Sequence, residues 1–299
     1  MILKSEIKRF LFNPLLSVLL IISICWQLNA VRTIFEPELY TYQHINNYDL
    51  NEYGKIEIES NITNSLNSYD VWLSTFVPYI SIIALISCLP YAATYIIDKK
   101  SGYLKNILMR SKKDNYFFSK TLLNALSGGL IVSLSSIVTL IILLITLTNE
   151  IPSILSSSLY INEPAIFINY LFENTIIYIF FVFSLMFFIG ATFSTFALTI
   201  GMFTKNIILS ILIPQIYMLV GGSICSTLGL NKINPWNVMY FNFEQTEFKF
   251  GLLNISIIMI VSLILIYIKF HLMIKKFFIC YLWEIQQEFS NLNQQGLER

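Results

Sequence analysis

Charge is scarce in this sequence. Asp, Glu, Lys and Arg make up only 12% of the 299 residues, against about 25% in an ordinary soluble domain. A chain with so little polar surface is not expected to stay dissolved as a globular protein. The net charge of +1 carries no basic excess, so nucleic acid is not among the expected partners. Histidine occurs twice, at His44 and His271, too far apart to suggest a metal pair. Cys25, Cys88, Cys225 and Cys280 are scattered in or beside apolar runs with no CxxC pair, which excludes a disulfide framework and reads as small apolar fillers. No GxxxxGK[ST] loop, GxSxG elbow or HExxH helix occurs, so the usual ATP cradle and the common hydrolase centres are excluded. No catalytic residue, metal site or cofactor is expected on this chain. The apolar runs themselves lack ionisable groups, Glu173, Lys269 and His271 falling at their ends. An ion-coupled transporter ordinarily keeps such a group at mid-bilayer.

Hydrophobic residues are abundant, at 56% with a mean hydropathy of +0.66. They fall into runs of about 20 residues, the length of helix that crosses a bilayer core. Ile2, Leu3, Ile7, Phe10 and Leu11 alternate with Lys4, Glu6, Lys8 and Arg9 at helical spacing, which predicts an amphipathic helix over residues 1–13 lying on the membrane surface. Asn13-Pro14 breaks it. Apolar runs then extend to about Phe35, from Trp72 to Ile97 with kinks expected at Pro78 and Pro90, from Leu122 to Leu147, from Leu171 to Phe203, from Ile207 to Leu228 and from Leu252 to Ile268. The first run is too long for a signal-peptide core and is expected to remain as a helix. The fold class is therefore all-α integral membrane, a single domain over 1–299 with six spans. Between them lie a polar loop at 36–71 and a charged connector at 98–120. In the tail at 275–299, Phe278, Leu282, Ile285, Phe289 and Leu292 form a helical stripe.

The basic residues orient the chain. Only Arg32, Lys55, Lys232 and Lys249 of the 19 lysines and arginines fall on one side of a six-span topology; the other fifteen fall on the opposite side, seven of them between Lys99 and Lys120. The positive-inside rule then puts both termini in the cytoplasm and the 36–71 loop outside, in a multi-pass protein of the cell membrane.

Two segments carry a resemblance. Lys4-Ser-Glu-Ile-Lys-Arg-Phe-Leu-Phe-Asn-Pro14 resembles the amphipathic elbow helix of type-2 ABC exporter permeases. Asp98-Lys-Lys-Ser-Gly102-Tyr-Leu104 through Tyr116 to Lys120 resembles their cytoplasmic connector, in which an acid and a base precede a glycine and a lysine heads the third span. Asp98 stands where glutamate is commoner. The resemblance implies a permease subunit that pairs with a second copy, identical or related. It implies a separate ATP-binding subunit that carries ATP and magnesium and docks on a short coupling helix in the connector. Leu104, Ile107 and Leu108 give that segment an i, i+3, i+4 stripe beside Lys105, and Gly102 allows a sharp turn before it. Asp98, Gly102, Leu104, Lys105, Ile107 and Leu108 are thus the candidate coupling residues, the other reading of this segment being a basic loop held against anionic lipid.

Export of a peptide, a lipid-like compound or an antibiotic suits the uncharged interior, the rival class being a non-transporting scaffold or sensor subunit. Phe187 and Phe188, in the phenylalanine-rich fourth run, either line a cargo path or pack helices and lipid. Gln215, beside Pro214, either bonds across helices or meets cargo. Gly190 with Ser194 and Ala197 with Gly201 are small-residue pairs suited to close helix contact.

Overall fold

The computed structural model describes residues 2–44, 52–56, 67–110, 113–147, 167–204, 206–240 and 247–272. These residues are helical almost throughout. Five helices are long and apolar enough to cross a membrane, which makes this a multi-pass, all-α membrane protein. The C-terminal stripe from Phe278 to Leu292 lies outside the described residues, as do most residues of the 45–66 stretch.

The first helix, α1 (Ile2–Leu11), is the amphipathic segment. Asn13 ends it and starts the next: its Oδ1 accepts from Leu15 N at 3.1 Å, ahead of Pro14, whose missing N–H costs nothing at a helix start. Helix α2 (Pro14–Gln43) runs past the boundary expected at Phe35, and Pro37 lies inside it. An Arg32–Glu36 ion pair at 2.5 Å and a Thr41 Oγ1 bond to the Pro37 carbonyl at 2.8 Å brace the turns around the proline.

The second apolar run is not one helix. It divides into α3 (Ser68–Ser74), α4 (Phe76–Tyr79), α5 (Ile83–Cys88) and α6 (Thr94–Lys100), with Pro78 and Pro90 at or beside the interruptions. None of the four pieces is long enough to cross a bilayer alone. Broken backbone is tolerated at membrane depth only where protein shields it, and this segment supplies much of the main core. Trp72, Phe76, Tyr79 and Ile83 are all fully buried. Distant side chains satisfy the groups freed by the breaks: Asn13 Nδ2 donates to the Pro90 carbonyl at 2.9 Å, and Gln215 serves the break between α4 and α5.

Gly102, at φ +75°, turns the chain from α6 into α7 (Tyr103–Arg110). Helix α8 (Lys113–Thr146) has 34 residues, about 51 Å at 1.5 Å per residue, so its charged N-terminal turns project beyond an apolar core of about 30 Å. Then follow α9 (Ile168–Glu173), α10 (Thr175–Thr204), α11 (Ile207–Thr227) and α12 (Glu247–Leu272). The fourth run therefore starts with a separate short helix, because the chain leaves helical geometry at Asn174. A π-helical turn at Tyr217–Gly221 follows Pro214 within α11, a common consequence of proline in a long helix.

Helices α8 and α10 cross with their backbones in contact. A Cβ placed on Gly128 would lie 2.5 Å from Ser194 Cβ and 2.6 Å from the Gly190 carbonyl oxygen, so only glycine allows the two backbones to touch. Gly128→Val is expected to destabilise detergent-solubilised protein by on the order of 1–3 kcal/mol. Gly221→Ala, whose Cβ would meet nothing nearer than the Tyr217 ring at 3.8 Å, is expected to leave the melting curve in place. A Gly128→Val protein that melts like the wild type would refute the close crossing.

Candidate functional site

Glu6 interrupts the apolar face of α1, one turn before Phe10, and both side chains are buried. A carboxylate taken out of water needs a cation, and two reach it. Arg9 Nη1 lies 3.0 Å from Glu6 Oε1, and Lys120 Nζ lies 3.3 Å from Glu6 Oε2. The same two cations hold Asp98 at the end of α6. Arg9 Nη2 is 3.0 Å from Asp98 Oδ1, and Lys120 Nζ is 2.7 Å from Asp98 Oδ2. Two acids and two bases thus form a closed ring joining α1, α6 and α8.

Tyrosines complete the site. Tyr116 donates to Asp98 Oδ2 at 2.9 Å, and Tyr91 donates to Glu6 Oε2. The Lys120 ammonium sits 4.7 Å from the centroid of the Tyr91 ring and 5.9 Å from that of Tyr116, so aromatic faces supply part of the solvation that water would give. Glu6, Asp98 and Lys120 are essentially inaccessible, whereas Arg9 keeps 40% of its side-chain surface. Arg9 also lies 4.9 Å from the centroid of the Tyr103 ring, which brings the first residue of α7 into contact with the ring of charges.

Burial alone would raise the Asp98 pKa. The Lys120 charge, with hydrogen bonds from Arg9, Lys120 and Tyr116, outweighs it and holds the carboxyl below the usual aspartate value. Burial likewise disfavours the charged Arg9, and the Asp98 and Glu6 carboxylates override it, raising the guanidinium further above its ordinary value.

Helix α7 presents a different face from the stripe read in its sequence. Leu104 is buried against Tyr95, Ile96, Tyr116 and Phe117, and Ile107 packs on the same cluster. Asn106 and Met109 are exposed, Met109 by 69%. The side chains of Lys105 and Leu108 lie outside the described residues. Gly102 holds the left-handed turn, and Asp98 is the hub of the charged ring.

The residues considered for a cargo path are elsewhere. The Phe187 ring covers Gly129, and Phe188 packs against the main core. Gln215 Oε1 accepts from Leu85 N at 2.9 Å and its Nε2 donates to the Ser81 carbonyl at 2.6 Å, which closes the gap between α4 and α5. Comparison with family models, with characterised proteins and with solved structures found no match.

In the sequence Glu6 and Arg9 read only as polar residues of the amphipathic helix, Tyr116 and Lys120 only as parts of a resemblance and of the charge count, and Tyr91 carries no signal. The signal for Glu6 was present, a carboxylate on the apolar face of an amphipathic helix. Nothing local marks the tyrosines.

Lys120→Met should destabilise the protein by about 3–5 kcal/mol, because two buried carboxylates lose a shared cation. Arg9→Gln, at a half-exposed position, should cost clearly less. Thermal unfolding in detergent measures both, and equal losses would contradict the burial argument. The depressed Asp98 pKa also fixes a sign. Its contribution is fully present above the unfolded aspartate value and is lost as the pH falls through the lower folded value. Asp98→Asn should therefore flatten the acid limb of stability while lowering the neutral plateau.

Proposed function

We propose that this chain is the membrane subunit of a type-2 ABC exporter, driven by ATP hydrolysis on a separate subunit that binds ATP and magnesium. One observation carries the reading: the buried ring of Glu6, Arg9, Asp98 and Lys120 ties the amphipathic helix, the end of the broken segment and the head of α8 into one unit. Helix α7 hangs on that unit through Gly102, the Leu104 anchor and the Arg9–Tyr103 contact. A push on α7 from below is delivered to all three elements together. Such a rigid joint is what a coupling helix needs in order to pass work to the spans.

In this reading the broken segment is a sixth crossing, both termini and α7 lie in the cytoplasm, and the charged connector faces an acidic groove of the ATPase. Two permease copies, identical or related, assemble in the cell membrane around a neutral cargo, a peptide, lipid-like compound or antibiotic. The docking contacts fall on the free side of α7, at Asn106 and Met109. Leu104 and Ile107 act as its anchor to the rest of the chain.

Two measurements test this. A cysteine at Asn106 should react with an impermeant maleimide only after cells are opened, and reaction in intact cells would reverse the orientation. Met109→Asp should abolish recovery of ATP-hydrolysing activity with the affinity-purified chain while leaving insertion and melting unchanged. A desolvated, unpaired carboxylate weakens a docking contact by several kcal/mol. Undiminished recovery of the ATPase with Met109→Asp would overturn the coupling role of α7.

A further inference from the structure

Away from the charged ring, a second polar cluster lies inside the bundle. Ser23 and Gln27 of α2, Tyr79 at the end of α4 and Ser135 of α8 are all fully buried. Ser23 Oγ shares a 2.5 Å hydrogen bond with Tyr79 Oη and donates to Ser135 Oγ at 2.8 Å. Gln27 Nε2 donates to Ser135 Oγ at 3.2 Å. These bonds use the hydroxyls and the amide nitrogen but leave Gln27 Oε1 buried without a partner. Nearer the charged end of α8, Asn124 is fully buried with both Oδ1 and Nδ2 unpartnered.

The spacing makes these one feature. Lys120, Asn124, Ser127 and Ser135 share one stripe of α8, with Ile131 the apolar residue between the last two. From Lys120 to Ser135 the stripe rises about 22 Å, most of the way across an apolar core. It carries no formal charge beyond Lys120, so it has nothing to hold an ion. What the stripe and the facing α2 leave unpaired is a donor and an acceptor at Asn124 and an acceptor at Gln27. Buried polar atoms in native proteins are almost always paired with protein or with ordered water. Water satisfies this pattern, because it donates and accepts at once. The cluster also sits where the chain is interrupted: Tyr79 is the last residue before the break between α4 and α5.

We infer that the inward stripe of α8 is hydrated, with water bound at Asn124 and at Gln27. On the transport reading above, this seam is the compartment that takes the neutral hydrogen-bonding groups of the cargo, in place of the phenylalanine face of α10. Charged solutes find no counter-ion there, while amide and hydroxyl groups replace the bound water bond for bond.

Cysteine reactivity tests the hydration directly, because only a thiolate reacts and thiolates form where water reaches them. In a full-length chain with Cys25, Cys88, Cys225 and Cys280 replaced by alanine, Ser23→Cys, Asn124→Cys and Ser135→Cys are treated in liposomes with methyl methanethiosulfonate, a small neutral reagent. Ile141→Cys and Phe180→Cys, at exposed positions on the apolar surface, report the reactivity of a lipid-facing thiol. All three seam positions should react at least an order of magnitude faster than these two. Ser23→Cys and Ser135→Cys are near-isosteric, so they report even if Asn124→Cys fails to fold. Seam rates no faster than the lipid-facing controls would show the stripe to be dry and overturn the inference. Fast seam labelling in a chain that recovers no ATPase would uphold hydration while removing the transport reading.

Discussion

A lysine taken out of water at the edge of a membrane must be neutralised where it stands, and most of the organisation of this protein answers that demand at Lys120. Its ammonium has no accessible surface and lies between two carboxylates and two aromatic rings. Buried ion pairs are weak sources of net stability, since the attraction must first offset desolvation. Their effect is on geometry. An amphipathic helix such as α1 would otherwise lie anywhere on a lipid surface, and Glu6 fastens it to one place against α6 and α8. Arg9 extends the ring to the surface and to Tyr103, so the connector inherits the same fixed position.

A second constraint works deeper in the bundle. Backbone polar groups have no solvent in hydrocarbon, so the interruptions between α3 and α6 require partners from elsewhere in the chain. Asn13 supplies one at Pro90 and Gln215 supplies two at Ser81 and Leu85. These bonds leave the segment helical in pieces, with defined joints between them. Joints of this kind are where a helix changes direction at low cost, because the hydrogen bonds that a bend would break are already absent. The charged ring holds one end of the broken segment and the polar cluster around Tyr79 lies along it, so movement at α7 has a physical route into the middle of the bundle.

Helix α7 shows how one short element takes its place from the rest of the chain. Eight residues give little more than two turns, too few to form a stable helix in isolation. Leu104 and Ile107 fasten one side to the chain, while Asn106 and Met109 remain on the other. The apolar stripe was legible in the sequence, but which partner it met was not. Leu104 closes on Tyr116 and Phe117, a dozen residues along the chain, and only the turn at Gly102 brings them together.

The sequence by itself determined that the chain is helical and membrane-embedded, since apolar runs near 20 residues leave few other ways to satisfy backbone in lipid. It marked the amphipathic start, the prolines of the second run and the glycine of the connector, each through a local property of the residue itself. The tertiary structure decided which charges share a site, because Arg9 and Asp98 are 89 positions apart and Glu6 and Lys120 are 114 apart. It also decided that the second run is broken and where its carbonyls and amides are repaired. Periodicity records which residues share a face of one helix. It does not record which side chain from another helix arrives to complete a hydrogen bond, and in a bundle with so few charges those distant pairings define the site.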